Sequence, residues 1–162
     1  MTTEKLDLRP AAAEDFALIY ELCESTMRGY VEADLGDCFE KIANQTIKDL
    51  LRRGLFAKIF VGDTFIGAMA YERHKTHLQL EELYVKPESQ NQGIGTKVME
   101  LLVAQSSSIG LPIRLHVLTS NRAGRAFYER LGFVLTSSAN KADFMELKPA
   151  DAARRIERPG RQ

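Results

Sequence analysis

The chain has 162 residues, 44% of them hydrophobic and 27% charged, a length and balance that fit one globular domain and exclude a disordered or fibrous chain. Its 22 basic and 22 acidic side chains cancel, so no overall field draws it to nucleic acid or to an anionic membrane. No run of about 18 apolar residues could span a bilayer, and the opening MTTEKLDLRP lacks the apolar centre of a secretion signal. The two cysteines, Cys23 and Cys38, stand outside any C-x-x-C pair or histidine-containing ligand spacing, which predicts a reduced, cytoplasmic setting and no metal.

In chain order, Leu6 and Leu8 alternate with Asp7 and Arg9 before Pro10, the pattern of a short strand. Phe16, Ile19, Tyr20, Cys23 and Met27 then recur at three or four residues, which predicts a helix with Glu14 and Asp15 at its start. An irregular stretch is expected over residues 29–36, and CFEKIANQTIKDLLRRG predicts a second helix that stops at Gly54. LFAKIFV and TFIGAMAYERH read as strands joined by a tight turn at Gly62 and Asp63, and HLQLEELYV as a third strand ended near Pro87. Val98, Leu101 and Leu102 mark a helix after the glycines at 93 and 95. PIRLHVLTS is a further strand, and NRAGRAFYERLG a helix with Asn121 as its N-cap and Gly132 past its end. FVLTS and DFMEL complete the strands. The expected fold is mixed α/β, a mostly antiparallel sheet of about seven strands with four helices and one parallel crossover. One domain is expected over residues 1–148, followed by a flexible tail over 149–162.

The stretch SQNQGIGTK, residues 89–97, sets two glycines at a strand-to-helix junction. Free N–H groups in the first turn of a helix, reinforced by its dipole, form an anion site. A nucleoside triphosphate would need G-x-x-x-x-G-K-[ST], and no glycine stands at the required distance upstream of Lys97. The dinucleotide fingerprint would need a glycine where Val98 stands.

The remaining form, Q-x-x-G-x-G at Gln90, Gly93 and Gly95, resembles the acetyl-CoA loop of the GNAT superfamily of N-acetyltransferases. LEELYVKPESQ before it is similar to that family's fourth strand, and NRAGRAFYERLGF after it to the family's N-x-x-A-x-x-F-Y-x-x-x-G-F helix. LRPAAAEDF resembles the start of the fold, so the likeness extends from about residue 6 to about residue 147. The resemblance implies fourth and fifth strands that splay apart. It also implies an acetyl-CoA donor, without a metal, held by the main chain of Leu83, Tyr84 and Val85, with Gln90, Gln92, Gly93, Ile94, Gly95 and Thr96 around the pyrophosphate and Asn121 near the pantetheine.

Attack of an amine on a thioester requires the neutral amine, so a base must take its proton. By the resemblance that base is a carboxylate on the fourth strand, Glu81 in preference to Glu82, which alternation puts on the opposite face. Tyr128 matches the family's general acid for the leaving thiolate. His74, His77 and His116 read as solvated or packed, and neither cysteine is given a role.

The acceptor implied is a primary amine of a small molecule or peptide. Glu32, Asp34, Asp37 and Glu40 give the first interhelical stretch an acidic cast that suits a cationic one. Where relatives tend to carry a tryptophan-rich stretch and a His-Tyr pair, this chain has no Trp and reads Asp143-Phe144. The acceptor is therefore not transferable. Homodimers are frequent in the family, and a homodimer is the corresponding expectation here. A non-catalytic acyl-CoA-binding module is the alternative reading.

Overall fold

In the computed structural model, which describes residues 4–157, helix α1 spans Phe16–Leu35 and α2 spans Phe39–Arg52. The apolar period explains both: Ile19, Leu22, Cys23 and Val31 are buried on α1, and Phe39, Ala43, Ile47, Leu50 and Leu51 on α2. Helix α1 runs through the stretch expected to be irregular. Gly29 costs about 1 kcal/mol in a helix interior, but Arg28 pairs with Glu24 and Glu32, each four residues away, and Val31 is buried. The helix stops at Gly36 instead.

Seven strands follow the expected sequence positions: β1 Leu6–Pro10, β2 Phe56–Val61, β3 Thr64–Arg73, β4 Leu78–Val85, β5 Ile113–Leu118, β6 Val134–Ala139 and β7 Ala142–Leu147. They form one sheet in the order β1-β2-β3-β4-β5-β7-β6. The pairing is antiparallel for β1 with β2, β2 with β3, β5 with β7 and β6 with β7, and parallel for β4 with β5. That parallel ladder holds only Leu78 opposite Ile113 and Gln79 opposite Arg114, as the expected splay requires. Helix α3 spans Ile94–Ile109 and α4 Arg122–Arg130.

A fifth helix, α5 at Pro149–Glu157, corrects the count of four and replaces the expected frayed tail over those residues. Asp151 in its first turn and Arg154 and Arg155 in its last complement the dipole, and Ala152 is fully buried. Residues 158–162 of that expected tail lie outside the described residues. No described helix is long and apolar enough to cross a membrane.

Two compact units divide the chain. One comprises the residues up to Tyr71 together with Glu81–Gly95, the other Glu72–Leu80 together with the residues from Thr96 onward. The first has its core in Ile19, Phe39, Ile47, Phe56, Ile59 and Met69, all at most 2% exposed. The second packs Val98, Met99, Leu102, Ile113, Met145 and Leu147 to the same degree.

Within the first unit, β3 approaches β4, its neighbour in the sheet, closely at one point. A Cβ added to Gly67 would lie 2.2 Å from the Tyr84 carbonyl oxygen and 3.3 Å from the Val85 Cα, and the obstacle is main chain, not a side chain that could turn away. Gly67→Ala is therefore expected to cost about 1–3 kcal/mol, as overpacking does, and to disturb Leu83–Val85. Chemical denaturation of the two proteins measures this; identical midpoints would show that the strands part without penalty.

Candidate active site

Alternation along β4 sorts its side chains into two sets. Leu78, Leu80, Glu82 and Tyr84 share one face, with Leu78, Leu80 and Tyr84 buried, while Gln79, Glu81, Leu83 and Val85 share the other and are half-buried. Glu82 thus enters a face that is otherwise buried. It keeps some solvent access, yet its carboxyl lies deep enough in protein that burial pushes it up to about 7, the Tyr84 hydrogen bond opposing and the nearby charge of Glu81 adding to the rise. Glu81, the residue preferred from sequence, stands one position away on the other face.

The Tyr84 side chain is 2% exposed and packs on Phe56 with ring centroids 6.3 Å apart. Burial raises its hydroxyl well above the usual phenol range, and the nearby Glu82 and Cys23 add to the rise. Cys23, at 6% exposure on the buried stripe of α1, has its thiol pushed up to about 11, burial being the largest cause. Sequence reading gave Cys23 no part. The available signal was its place on the apolar period of α1, which pointed to the core without saying which strand residue it met.

Beyond β4, Lys86 donates its N–H to the Ile66 carbonyl at 2.8 Å, and a short turn at Pro87–Ser89 leads into the glycine loop. Two residues there are left-handed, Asn91 at φ 61° and Gly93 at φ 77°, a conformation in which glycine carries no Cβ penalty. Gln90 donates its side-chain amide to the Val85 carbonyl at 2.9 Å and Gln92 to the Glu88 carbonyl at 3.2 Å. Both glutamines therefore brace the loop with their side chains. Ile94, Gly95 and Thr96 form the first turn of α3, whose N–H groups lack acceptors within the helix. These residues fit a diphosphate: donors come from the main chain, the dipole has the right sign, and the turn is braced from behind.

In the second unit, Asn121 caps α4, its side-chain oxygen accepting from the Gly124 N–H at 2.9 Å, as its sequence position predicted. Tyr128 lies on the same helix, edge-on to Phe127 at 5.0 Å and Phe133 at 5.6 Å between centroids. Arg125 ties α4 to β7 through Asp143 at 3.3 Å, and Ser138 donates to the same buried carboxylate at 2.7 Å. Asp143, one of the two departures from the family pattern, thus anchors the helix that carries Tyr128.

The acidic stretch expected to suit a cationic acceptor is partly paired within the chain. Arg28 takes both Glu32, at 3.0 Å, and Glu40, at 2.8 Å, along with Glu24, and its guanidinium sits 4.6 Å from the Phe39 ring centre. Two of the four expected acids are therefore committed to an internal cation.

The family model described as "Acetyltransferase (GNAT) family" matches residues 19–133, well over half of the chain. The chain belongs to the GNAT acetyltransferase family. A spermidine N(1)-acetyltransferase of Thermoplasma acidophilum is 24% identical over 156 residues, which cover 88% of this chain and 97% of that relative. Among solved structures, the PaiA N-acetyltransferase of Thermoplasma acidophilum in complex with coenzyme A has a TM-score of 0.66 and 23% identity over 89% of this chain and 99% of its own. An acetyltransferase of Thermus thermophilus has a TM-score of 0.71 and 18% identity over 91% of this chain and 99% of its own. GNAT membership supports acetyl transfer from acetyl-CoA, and the two structures share the fold.

Glu82 has a consequence for stability. Its folded carboxyl is raised from 4.5 to about 7, so between those values the native state holds a proton that the unfolded state has lost. The contribution is full below about pH 4.5 and lost as pH rises through about 7. Glu82→Gln, which never ionises, should gain about 2–3 kcal/mol on the parent between pH 4 and pH 8. Denaturation midpoints at the two pH values measure it, and a constant difference would refute the burial argument.

Proposed function

We propose that this GNAT acetyltransferase moves the acetyl group of acetyl-CoA to a primary amine of a small molecule or peptide, by direct attack in a ternary complex. The observation that carries this reading is the Glu82 carboxyl, enclosed on β4, the strand that leads into the glycine loop, and poised near neutrality. A base with that affinity accepts a proton from an ammonium ion at physiological pH and is not already saturated with one. Glu82 is proposed for this role in place of Glu81, because burial raises the Glu82 carboxyl and the charge of Glu81 adds to the rise.

The donor rests on main chain. Leu83, Tyr84 and Val85 offer their amides and carbonyls to the pantetheine arm, and one N–H near Leu83 polarises the thioester carbonyl. The amides from Gln92 to Thr96 carry the pyrophosphate. The acceptor arrives as an ammonium ion and gives one proton to Glu82, directly or through a water. Its nitrogen bonds to the acetyl carbon, the carbon–sulfur bond breaks, and Tyr128, matched to the family's acid, supplies the thiolate with a proton that the new amide nitrogen replaces. The net products are the acetamide, free coenzyme A and one proton.

The acceptor class follows from the same chemistry, since only an amine that is protonated in solution needs this base. A polyamine such as the spermidine named for the Thermoplasma relative belongs to that class, as does the amino group of a peptide.

Thiol release from acetyl-CoA, followed with a panel of polyamines, monoamines and peptides, should reveal at least one acceptor. Tyr128→Phe should lower its kcat by about 10²-fold, within the range for loss of a general acid, at an unchanged KM for the donor. Gly93→Val should weaken acetyl-CoA binding at least about tenfold by calorimetry, because a β-branched residue cannot hold φ near 77°. Donor binding with no release across the panel would favour the non-catalytic module, and absent donor binding would end both readings.

A further inference from the structure

Asp143 is the least exposed charged residue among those described, at 6%. Alternation along β7 sets it on one face with Met145 and Leu147, each 1% exposed. A carboxylate in that company has given up its water, so it persists only if donors take its oxygens. Two do. The Ser138 hydroxyl, opposite on β6, donates to one oxygen at 2.7 Å, and the Arg125 guanidinium of α4 donates to the other at 3.3 Å. Arg125 also donates through Nε to Glu129, one turn further along its own helix, at 2.7 Å. The guanidinium is thus held on two sides of its plane. Helix α4 has little of its own to fix it: nine residues, none buried, with Gly124 in the first turn. Asn121 caps one end. At the other, Leu131 and Phe133 are buried and the Phe133 N–H donates to the Tyr128 carbonyl at 3.1 Å. The Arg125–Asp143 pair acts between these ends, where a tie opposes rotation of the helix about its axis.

We infer that Asp143 and Arg125 are positioning residues for the Tyr128 hydroxyl, the pair setting the rotation of α4 and so the place where that hydroxyl stands. This inference rests on the proposal that Tyr128 is the acid for the leaving thiolate. Tyr128 lies three residues after Arg125, so the two share a side of the helix and turn together. Side-chain tips lie about 5–6 Å from a helix axis, so a rotation of about 10° carries the hydroxyl by about 1 Å. A misplacement of that size can cost about 10²-fold in rate. A charge pair suits the task better than one more apolar contact. Apolar surfaces slide, whereas the bond between guanidinium and carboxylate has direction. The buried end of the pair is itself held, by Ser138 and by the pairing of β7 with β5. Asp143 also stands where the sequence departs from its family's pattern, so the tie belongs to this chain's own side chains.

Removing one partner alone strands a charge and threatens the fold, so the main variant combines Arg125→Gln with Asp143→Asn, which takes both charges away and leaves polar side chains in their place. With acetyl-CoA and the fastest-reacting amine of the panel, its kcat should fall about tenfold at an unchanged KM for the donor. Made in a Tyr128→Phe background, the same two changes should lower kcat no further, because the group they position is gone. A helix that had merely become unstable would lose kcat in both backgrounds, and that result overturns the positioning role. Arg125→Lys keeps a cation for Asp143 and should retain more of kcat than the double variant; an equal loss would also overturn it. Carbon-13 labelling of tyrosine Cζ reads the tie by NMR without turnover. The Tyr128 resonance, assigned by its absence from Tyr128→Phe, should shift in the double variant, and an unmoved resonance counts against the inference. If Tyr128→Phe keeps the parent's kcat, the acid assignment fails instead, while the resonance still reports whether the pair places the ring, so the two failures are distinct.

Discussion

Strand β4 is bound to β5 for two residue pairs only, Leu78 with Ile113 and Gln79 with Arg114, and what the molecule can do begins where that ladder ends. A strand interior spends its amides on its neighbours. From Leu80 to Val85 the ladder to β5 no longer claims them, and this is the segment that carries Glu81, Glu82 and Tyr84 and runs into the loop at Gln90–Gly95. Gly67 fixes the strand from its other side, since any larger residue would collide with the Tyr84 carbonyl. This segment is thus held against β3 by close main-chain approach, which a side-chain contact could not do as rigidly.

Electrostatics divide the acidic residues of the first unit into two kinds. Around Arg28 the carboxylates of Glu24, Glu32 and Glu40 are largely exposed and paired, and exposed pairs of this kind add little to stability. Their service is to carry α1 past Gly29 and to join it to α2. Glu82 is the opposite case, a carboxyl without a cation whose burial places its proton affinity in the range where amine chemistry occurs.

Most of the fold was legible because strand alternation, helical period and glycine stops are local signals; the hairpin at Gly62, the Asn121 cap and the loop at Gly93 stand where the pattern put them. What failed was non-local. Gly29 looked like a break because the Arg28 network that sustains the helix draws on Glu40 from another element. Residues 149–157 looked like a tail because a nine-residue helix with one buried alanine carries little apolar signal. At the site, alternation showed that Glu81 and Glu82 face opposite ways, but not which face is enclosed. Enclosure is set by elements distant in the sequence, and no pattern within β4 contains it.

Burden-sharing between main chain and side chains also explains how the fold persists with so few identities. Coordinates agree to TM-scores of 0.66 and 0.71 with structures that share 23% and 18% of their residues with this chain. A left-handed residue at Gly93, a close pass at Gly67 and a helix N-terminus are demands on conformation, with few on side-chain identity. Where this chain departs from its family's pattern, in having no Trp and in reading Asp143-Phe144, it departs in side chains and not in the main-chain conformation that those structures share.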